Sequence, residues 1–220
     1  MNHGITRITI TDSLTGIGAW RFKKAAAKQS AANVLYRTIF SRLGMPLLQG
    51  DKSLCTTLAE FESGYDRYLG IDVIFTFSGG QEATLQEKFL SWHESTVTVE
   101  FMQDPKTGEQ GDWFKLKADY YFVGYDRLEA NNFQEWMLLN WPLVRQMTNQ
   151  GLIPWQVQQN KRDGARANFK FVHFDQVPSR CIVHGQWNKQ EHIESSTFAL
   201  DMLRQEYRQQ RSLGESGNHA

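Results

Sequence analysis

The apolar positions of the chain change period along its length. Over residues 21–43 (RFKKAAAKQSAANVLYRTIFSRL) they recur at helical spacing, which predicts a helix closed by Gly44 with Pro46 just beyond. Val34, Leu35, Thr38, Ile39 and Leu43 form its expected buried stripe. The period then falls to two. Runs rich in β-branched and aromatic residues at 69–77, 83–90 and 96–102 predict strands, and another follows at 118–125. Segment 53–63 fits a short helix or a strand, residues 1–20 predict no element, and the polar run 104–112 is a loop. Residues 129–149 (EANNFQEWMLLNWPLVRQMTN) read as a helix kinked at Pro142, where the proline removes a backbone bond. Strands are expected at 168–174 and 180–183, and an amphipathic helix at 196–210 with Phe198, Met202 and Leu203 inward. Neither a repeat nor a linker divides the chain, so one α/β domain is expected over 1–210, with a disordered tail at 211–220. Its strands are adjacent in sequence, which predicts a mixed central sheet flanked by helices.

The hairpin 71–90 can be read for register. Ile71, Val73, Phe75 and Phe77 lie on one face of its first strand, and Asp72, Ile74 and Thr76 on the other. Its second strand carries Ala83, Leu85, Glu87 and Phe89 on one face and Thr84, Gln86, Lys88 and Leu90 on the other. Alternation is strict, so only two pairings of faces exist. Matching apolar to apolar sets Asp72 on one face with Gln86 and Lys88, and implies a loop with an odd residue count, such as Gly79–Gln81. The cost is Glu87 on the apolar face. A carboxylate, an amide and an ammonium then converge. Asp72 and the Gln86 amide oxygen suit a hard cation such as Mg²⁺, and a lysine beside such an ion can stabilise charge developing on a phosphate. This is the chemistry of phosphodiester hydrolysis.

Composition narrows the field. Lys+Arg and Asp+Glu both number 24, which excludes a tail-type, strongly basic nucleic-acid binder but not local phosphate contacts. An aromatic content of 13%, with 7 Trp, marks an ordered protein. Cys55 and Cys181 form no CxxC pair and read as free thiols in a reducing compartment. Neither a signal peptide nor a membrane span is evident, so a soluble cytoplasmic protein is expected. GxxxxGK[ST] and GxSxG are absent, leaving NTPase and α/β-hydrolase readings without support.

At the hairpin the chain resembles the PD-(D/E)XK nuclease superfamily, whose members share a helix, a three-strand meander, a helix and a further strand. An Asp in the second strand and an ExK or QxK triplet in the third form the site. The matching residues are Asp72 in GIDVIF and Gln86-Glu87-Lys88 in LQEKFL, and DWFKLKADYYFVGY is similar to a later core strand. Departures are Gln86 for the commoner glutamate, Glu87 in a usually apolar slot, and Ile71 where the superfamily's name has proline. The resemblance implies a restriction-endonuclease-like core and DNA hydrolysis with Mg²⁺ or Mn²⁺. Asp72, Gln86 and Lys88 would be catalytic, and Asp72, Gln86 and the Glu87 carbonyl would ligate the metal. The family often adds an acidic residue from the first helix region, for which Glu60 and Glu62 are candidates, Glu62 preferred. Lys161, Arg162 and Arg166 are candidate contacts to the nucleic-acid backbone, although such runs are more often solvated faces. Asp119, His93, His173 and His184 read as structural. The alternative is a catalytically inactive nucleic-acid-binding or structural protein on a degenerate nuclease fold. A homo-oligomer is compatible with either.

Overall fold

The computed structural model describes residues 17–54, 69–90, 94–126, 133–159, 167–188 and 190–192. Glu60, Glu62, Lys161, Arg162 and Arg166, the expected helix at 196–210 and the tail at 211–220 lie outside the described residues.

Helix α1 spans Ile17–Arg42 and ends as the sequence predicts. Gly44 takes φ +75°, its N–H donates to Ser41 O, and Met45 N–H reaches back to Phe40 O. This is the glycine-terminated cap that satisfies the last helical carbonyls. The buried stripe differs from the expected one. Ile39 and Leu43 are buried, but so are Ala32, Tyr36 and Phe40, while Val34 is 66% exposed and Thr38 faces outward. The larger rings decide the helix rotation: Tyr36 packs edge-on against Phe75 and Phe122, and Phe40 against Phe75, Phe77 and Tyr120.

Seven strands form the main sheet: β1 (Leu47–Leu54), β2 (Val73–Phe77), β3 (Glu82–Leu90), β6 (Tyr120–Asp126), β7 (Phe133–Asn140), β10 (Ile182–Trp187) and β11 (Gln190–His192), in that spatial order. Each neighbouring pair is antiparallel except β3 and β6, which are parallel, so the sheet is mixed as expected. A second sheet has the order β5 (Glu109–Gln110), β4 (Thr96–Asp104), β9 (Asn168–His173), β8 (Gln156–Gln159). Two short α-helices, α2 (Asp112–Lys115) and α3 (Trp141–Asn149), and two 3-10 turns, Phe174–Gln176 and Ser179–Cys181, complete the described fold.

Each face of the main sheet buries its own core. One packs Val73, Phe75, Leu85, Phe122 and Leu138 against α1. The other packs Tyr121, Val123, Met137 and Leu139 against Val97, Val99 and Val172 of the second sheet and Trp141, Val144 and Met147 of α3. Helices therefore flank the sheet as expected, α1 on one face and α3 on the other, but a second sheet shares the face that α3 covers. Strand β4 does not extend the hairpin's sheet, because Tyr121 and Tyr125 donate their hydroxyls to Thr98 O (2.6 Å) and Thr96 O (2.8 Å) and tie it across the layer.

The expected helix at 129–149 is also corrected. Strand β7 occupies its first half, and α3 starts only at Trp141, with Asn140 Oδ1 accepting from Leu143 N–H (3.1 Å) and Pro142 in the first turn. Proline there loses no helical bond and presets the backbone, so it marks a helix start rather than a kink. Among the described residues no helix is long and apolar enough to cross a membrane.

Candidate active site

The β2–β3 hairpin has the register that apolar matching predicts. Val73 stands opposite Leu85, Ile74 opposite Thr84 and Phe75 opposite Ala83. Its loop, Ser78-Gly79-Gly80, has the expected odd count but lies one residue earlier than Gly79–Gln81. Phe77 N–H donates to Gln81 O (2.8 Å), and Gly80 at φ +83° supplies the left-handed residue such a loop needs. One expectation fails at the other end. Ile71 does not join Val73 and Phe75 but packs with Val97, Val99 and Trp113 in the opposite core, because regular strand geometry begins only at Val73.

That late start creates the site. Strand β3 runs past the end of β2, and the Glu87 N–H on this edge has no β2 residue to receive it. Asp72 Oδ2 takes its place, accepting from Glu87 N–H at 2.7 Å and from Gln86 Nε2 at 2.5 Å. The Gln86 nitrogen also lies 3.4 Å from Glu87 O. Asp72 and Gln86 are buried, at 9% and 8% exposure, and Gln86 Oε1 has no hydrogen-bond partner among the described residues. Gly70, at φ +57°, passes directly over this amide: a Cβ there would stand 3.2 Å from Gln86 Oε1 and 3.1 Å from Leu116 Cδ1.

Lys88 follows two residues on and shares the Gln86 side of β3. Its Nζ lies 5.8 Å from the centre of the Phe169 ring. Phe169 is paired across the strands with Glu100, so Lys88 approaches a carboxyl from β4 that no sequence motif singles out. Burial pushes the Glu100 pKa up and repulsion from Asp112 adds to it, while the charges of Lys88 and Lys115 oppose the rise. The signal for Glu100 is a lone charge inside the apolar run VTVEFM, but only the second sheet brings it near Lys88.

Glu87, the misfit on the apolar face, is explained by α1. Tyr36 donates its hydroxyl to Glu87 Oε1 at 2.9 Å. Burial raises the Tyr36 pKa well above 10, and the charges and hydrogen bond of Glu87 reinforce it. Asp119, by contrast, clamps the strand from its other edge. Its Oδ2 accepts from Thr84 N–H (2.8 Å) and Thr84 Oγ1 (2.7 Å), a structural role. His184 is buried against the Trp136 ring and His173 lies beside Phe171, both apart from the hairpin site. Cys181 is fully buried, which pushes its thiol up to about 11.

Among the described residues no three His, Cys, Asp or Glu side chains converge as a metal site. The oxygens at the hairpin are of mixed kinds: the Asp72 carboxylate, the Gln86 amide and the Glu87 carbonyl. In the orientation present Nε2 faces Asp72 and Glu87, and they fit a hard cation in one respect: a buried amide oxygen without a partner among the described residues is what such an ion would satisfy. No family model, curated protein or solved structure matches the chain.

Proposed function

We propose that the chain is a Mg²⁺- or Mn²⁺-dependent nuclease with a restriction-endonuclease-like core, hydrolysing DNA phosphodiester bonds at Asp72, Gln86 and Lys88. The observation that carries this reading is the buried Gln86 amide, which meets the Asp72 carboxylate through Nε2 and whose other end, Oε1, has no hydrogen-bond partner among the described residues. The two ends of an amide are alike in size. With its ends exchanged, Gln86 would set an oxygen beside Asp72 Oδ2 and the Glu87 carbonyl and leave its nitrogen at the unpartnered end. Topology adds support: helix α1, the meander β1-β2-β3 and then β6 parallel to β3 follow the order of the superfamily. The departure is the crossover to β6, which is built from β4, β5 and the four-residue α2 rather than from a long helix.

In this reading Asp72, Gln86 and the Glu87 carbonyl hold the ion, and Lys88 faces charge that develops on the phosphate as water attacks and the leaving oxygen departs. The ion, when bound, supplies Lewis acidity and an activated water. DNA is then the partner, and a cytoplasmic location goes with it. One observation favours the inactive alternative: Asp72 Oδ2 already accepts two hydrogen bonds, the arrangement of a carboxylate that only braces a strand edge. The deciding experiment is an assay on single- and double-stranded DNA with Mg²⁺, with Mn²⁺ and with chelator. Metal-dependent cleavage that disappears in Asp72→Ala supports the nuclease. Intact DNA under both metals sinks it.

A further inference from the structure

Residues 112–117 (DWFKLK) run along the rim of the hairpin site. Leu116 abuts Gly70, the glycine that covers the Gln86 amide, and Lys117 N–H donates to Leu69 O at 2.8 Å. Trp113 and Leu116 are buried and anchor the segment, whereas Phe114 between them is turned outward with 39% exposure. A lone exposed phenylalanine signifies nothing. This one leans on Phe101, with ring centres 5.2 Å apart and planes at 36°, so protein backs one side of the ring while the rest stays open. Charges of both signs lie near the segment: Asp112 belongs to it, and Glu100 on β4 feels both Asp112 and Glu109. Lys117 is exposed, Lys115 is held 3.0 Å from Asp112, and Lys170 Nζ sits 4.7 Å from the Phe101 ring centre and 4.1 Å from that of Trp113. Arg145 Cζ lies 5.2 Å from the Trp113 ring centre.

An exposed aromatic ring flanked in sequence by Lys115 and Lys117, at the edge of the proposed site, matches one ligand chemistry. A nucleic-acid strand offers flat bases to stack and phosphates to neutralise, and its bases are free to stack only when unpaired. An apolar protein segment would not call for the lysines. We propose that residues 112–117 bind an unpaired DNA strand, with Phe114 stacking on a base and Lys115 and Lys117 meeting the flanking phosphates, so that the substrate is single-stranded or frayed DNA. This substrate assignment rests on the nuclease reading, but the binding can be measured without it.

The test is fluorescence anisotropy of a labelled oligothymidylate and of a labelled hairpin duplex, with chelator present so that no cleavage intervenes. The 220-residue chain binds the single strand more tightly than the duplex. Phe114→Leu, which keeps apolar bulk and removes the ring, weakens single-strand binding by about tenfold and leaves duplex binding unchanged. Phe114→Trp restores it. Lys117→Ala lowers the slope of log affinity against log salt by about 0.7, the value of one single-strand phosphate contact. Any of four results overturns the proposal: no binding of the oligothymidylate, a preference for the duplex, Phe114→Leu equal to wild type, or Phe114→Trp no better than Phe114→Leu. A protein that passes this test yet never cleaves with Mg²⁺ sinks the nuclease reading alone, and one that cleaves but fails it sinks only this inference.

Discussion

Two aspartates grip β3 from opposite edges. Asp119 stands just before β6, accepting the Thr84 N–H and hydroxyl, and its own N–H donates to Thr84 Oγ1 at 3.0 Å. Asp72 stands just before β2 and does the corresponding work with Glu87 N–H and Gln86 Nε2. The difference lies in what remains. Around the exposed Asp119 the Thr84 groups are paired. Around the buried Asp72, the far end of the partner amide has no partner among the described residues. Leaving a buried acceptor unmet typically costs about 1–3 kcal/mol. Similar residues in similar local roles are therefore told apart by an atom left unsatisfied among the described residues, as Gln81 Oε1, Trp141 Nε1 and Asn168 Oδ1 also are, and at Gln86 it is the atom on which the proposed cation site rests.

The sharpest way to break this comparison is cleavage. Asp72→Ala and Lys88→Ala are expected to lower Mg²⁺-dependent hydrolysis on the order of a hundredfold or more, whereas Asp119→Ala stays near the wild-type rate. Lys88→Ala should bind DNA normally, and Lys88→Arg should not restore the rate fully, since a planar guanidinium is no substitute for a compact ammonium. Equal losses at the two aspartates would erase the distinction.

Gln86→Glu gives the next largest effect. It sets a second carboxylate beside Asp72, so the metal-free protein melts lower, while Mg²⁺ affinity by calorimetry rises about tenfold and the ion recovers the lost stability. No gain in Mg²⁺ affinity would mean that the amide does not face the ion.

Stability should reverse the ranking. Asp119→Ala removes two hydrogen bonds, worth about 1–2 kcal/mol, and its melting temperature should fall by about 3–8 °C with cleavage retained. A melting temperature unchanged from wild type would mean that the clamp at Thr84 contributes nothing.

The smallest effect is expected in alkali. Burial raises the Cys181 thiol from 9.0 to about 11, so the folded state holds that proton more tightly than the unfolded chain does. The resulting stability is complete below pH 9 and is lost as pH climbs towards 11; Tyr36 behaves likewise, starting above pH 10. Melting temperatures of Cys181→Ala should decline less steeply than those of wild type between pH 9 and 11. Of the two aspartates only Asp72 adds to the Tyr36 shift, behind burial and Glu87, so Asp72→Asn but not Asp119→Asn should ease the alkaline loss slightly.

Much of the hairpin is legible in the amino-acid sequence. Alternation is fixed by backbone geometry, and matching Val73, Phe75, Ala83 and Leu85 on one face leaves Asp72 and Gln86 together on the other. The end of α1 is legible for the same reason, because a glycine cap is a local event. Legibility ends where two local patterns fit equally. An apolar run such as FQEWMLLN suits a helix or a strand, and strand pairing with β6 and β10 decides for β7. It ends again wherever a partner is remote in sequence: Tyr36 for Glu87, the tyrosines of β6 for β4, Glu100 for Lys88, and Phe101 behind Phe114.

By itself, then, the sequence determined which side chains of the hairpin share a face and how α1 ends. Only the tertiary structure decided that another sheet joins α3 over the second face, that β3 outruns β2 at Glu87, and that one amide oxygen of Gln86 is buried without a partner among the described residues. The physical reason is range. Periodicity is written within a few residues, whereas a strand edge or a buried acceptor is satisfied, or left unsatisfied, by segments that only the folded chain brings together.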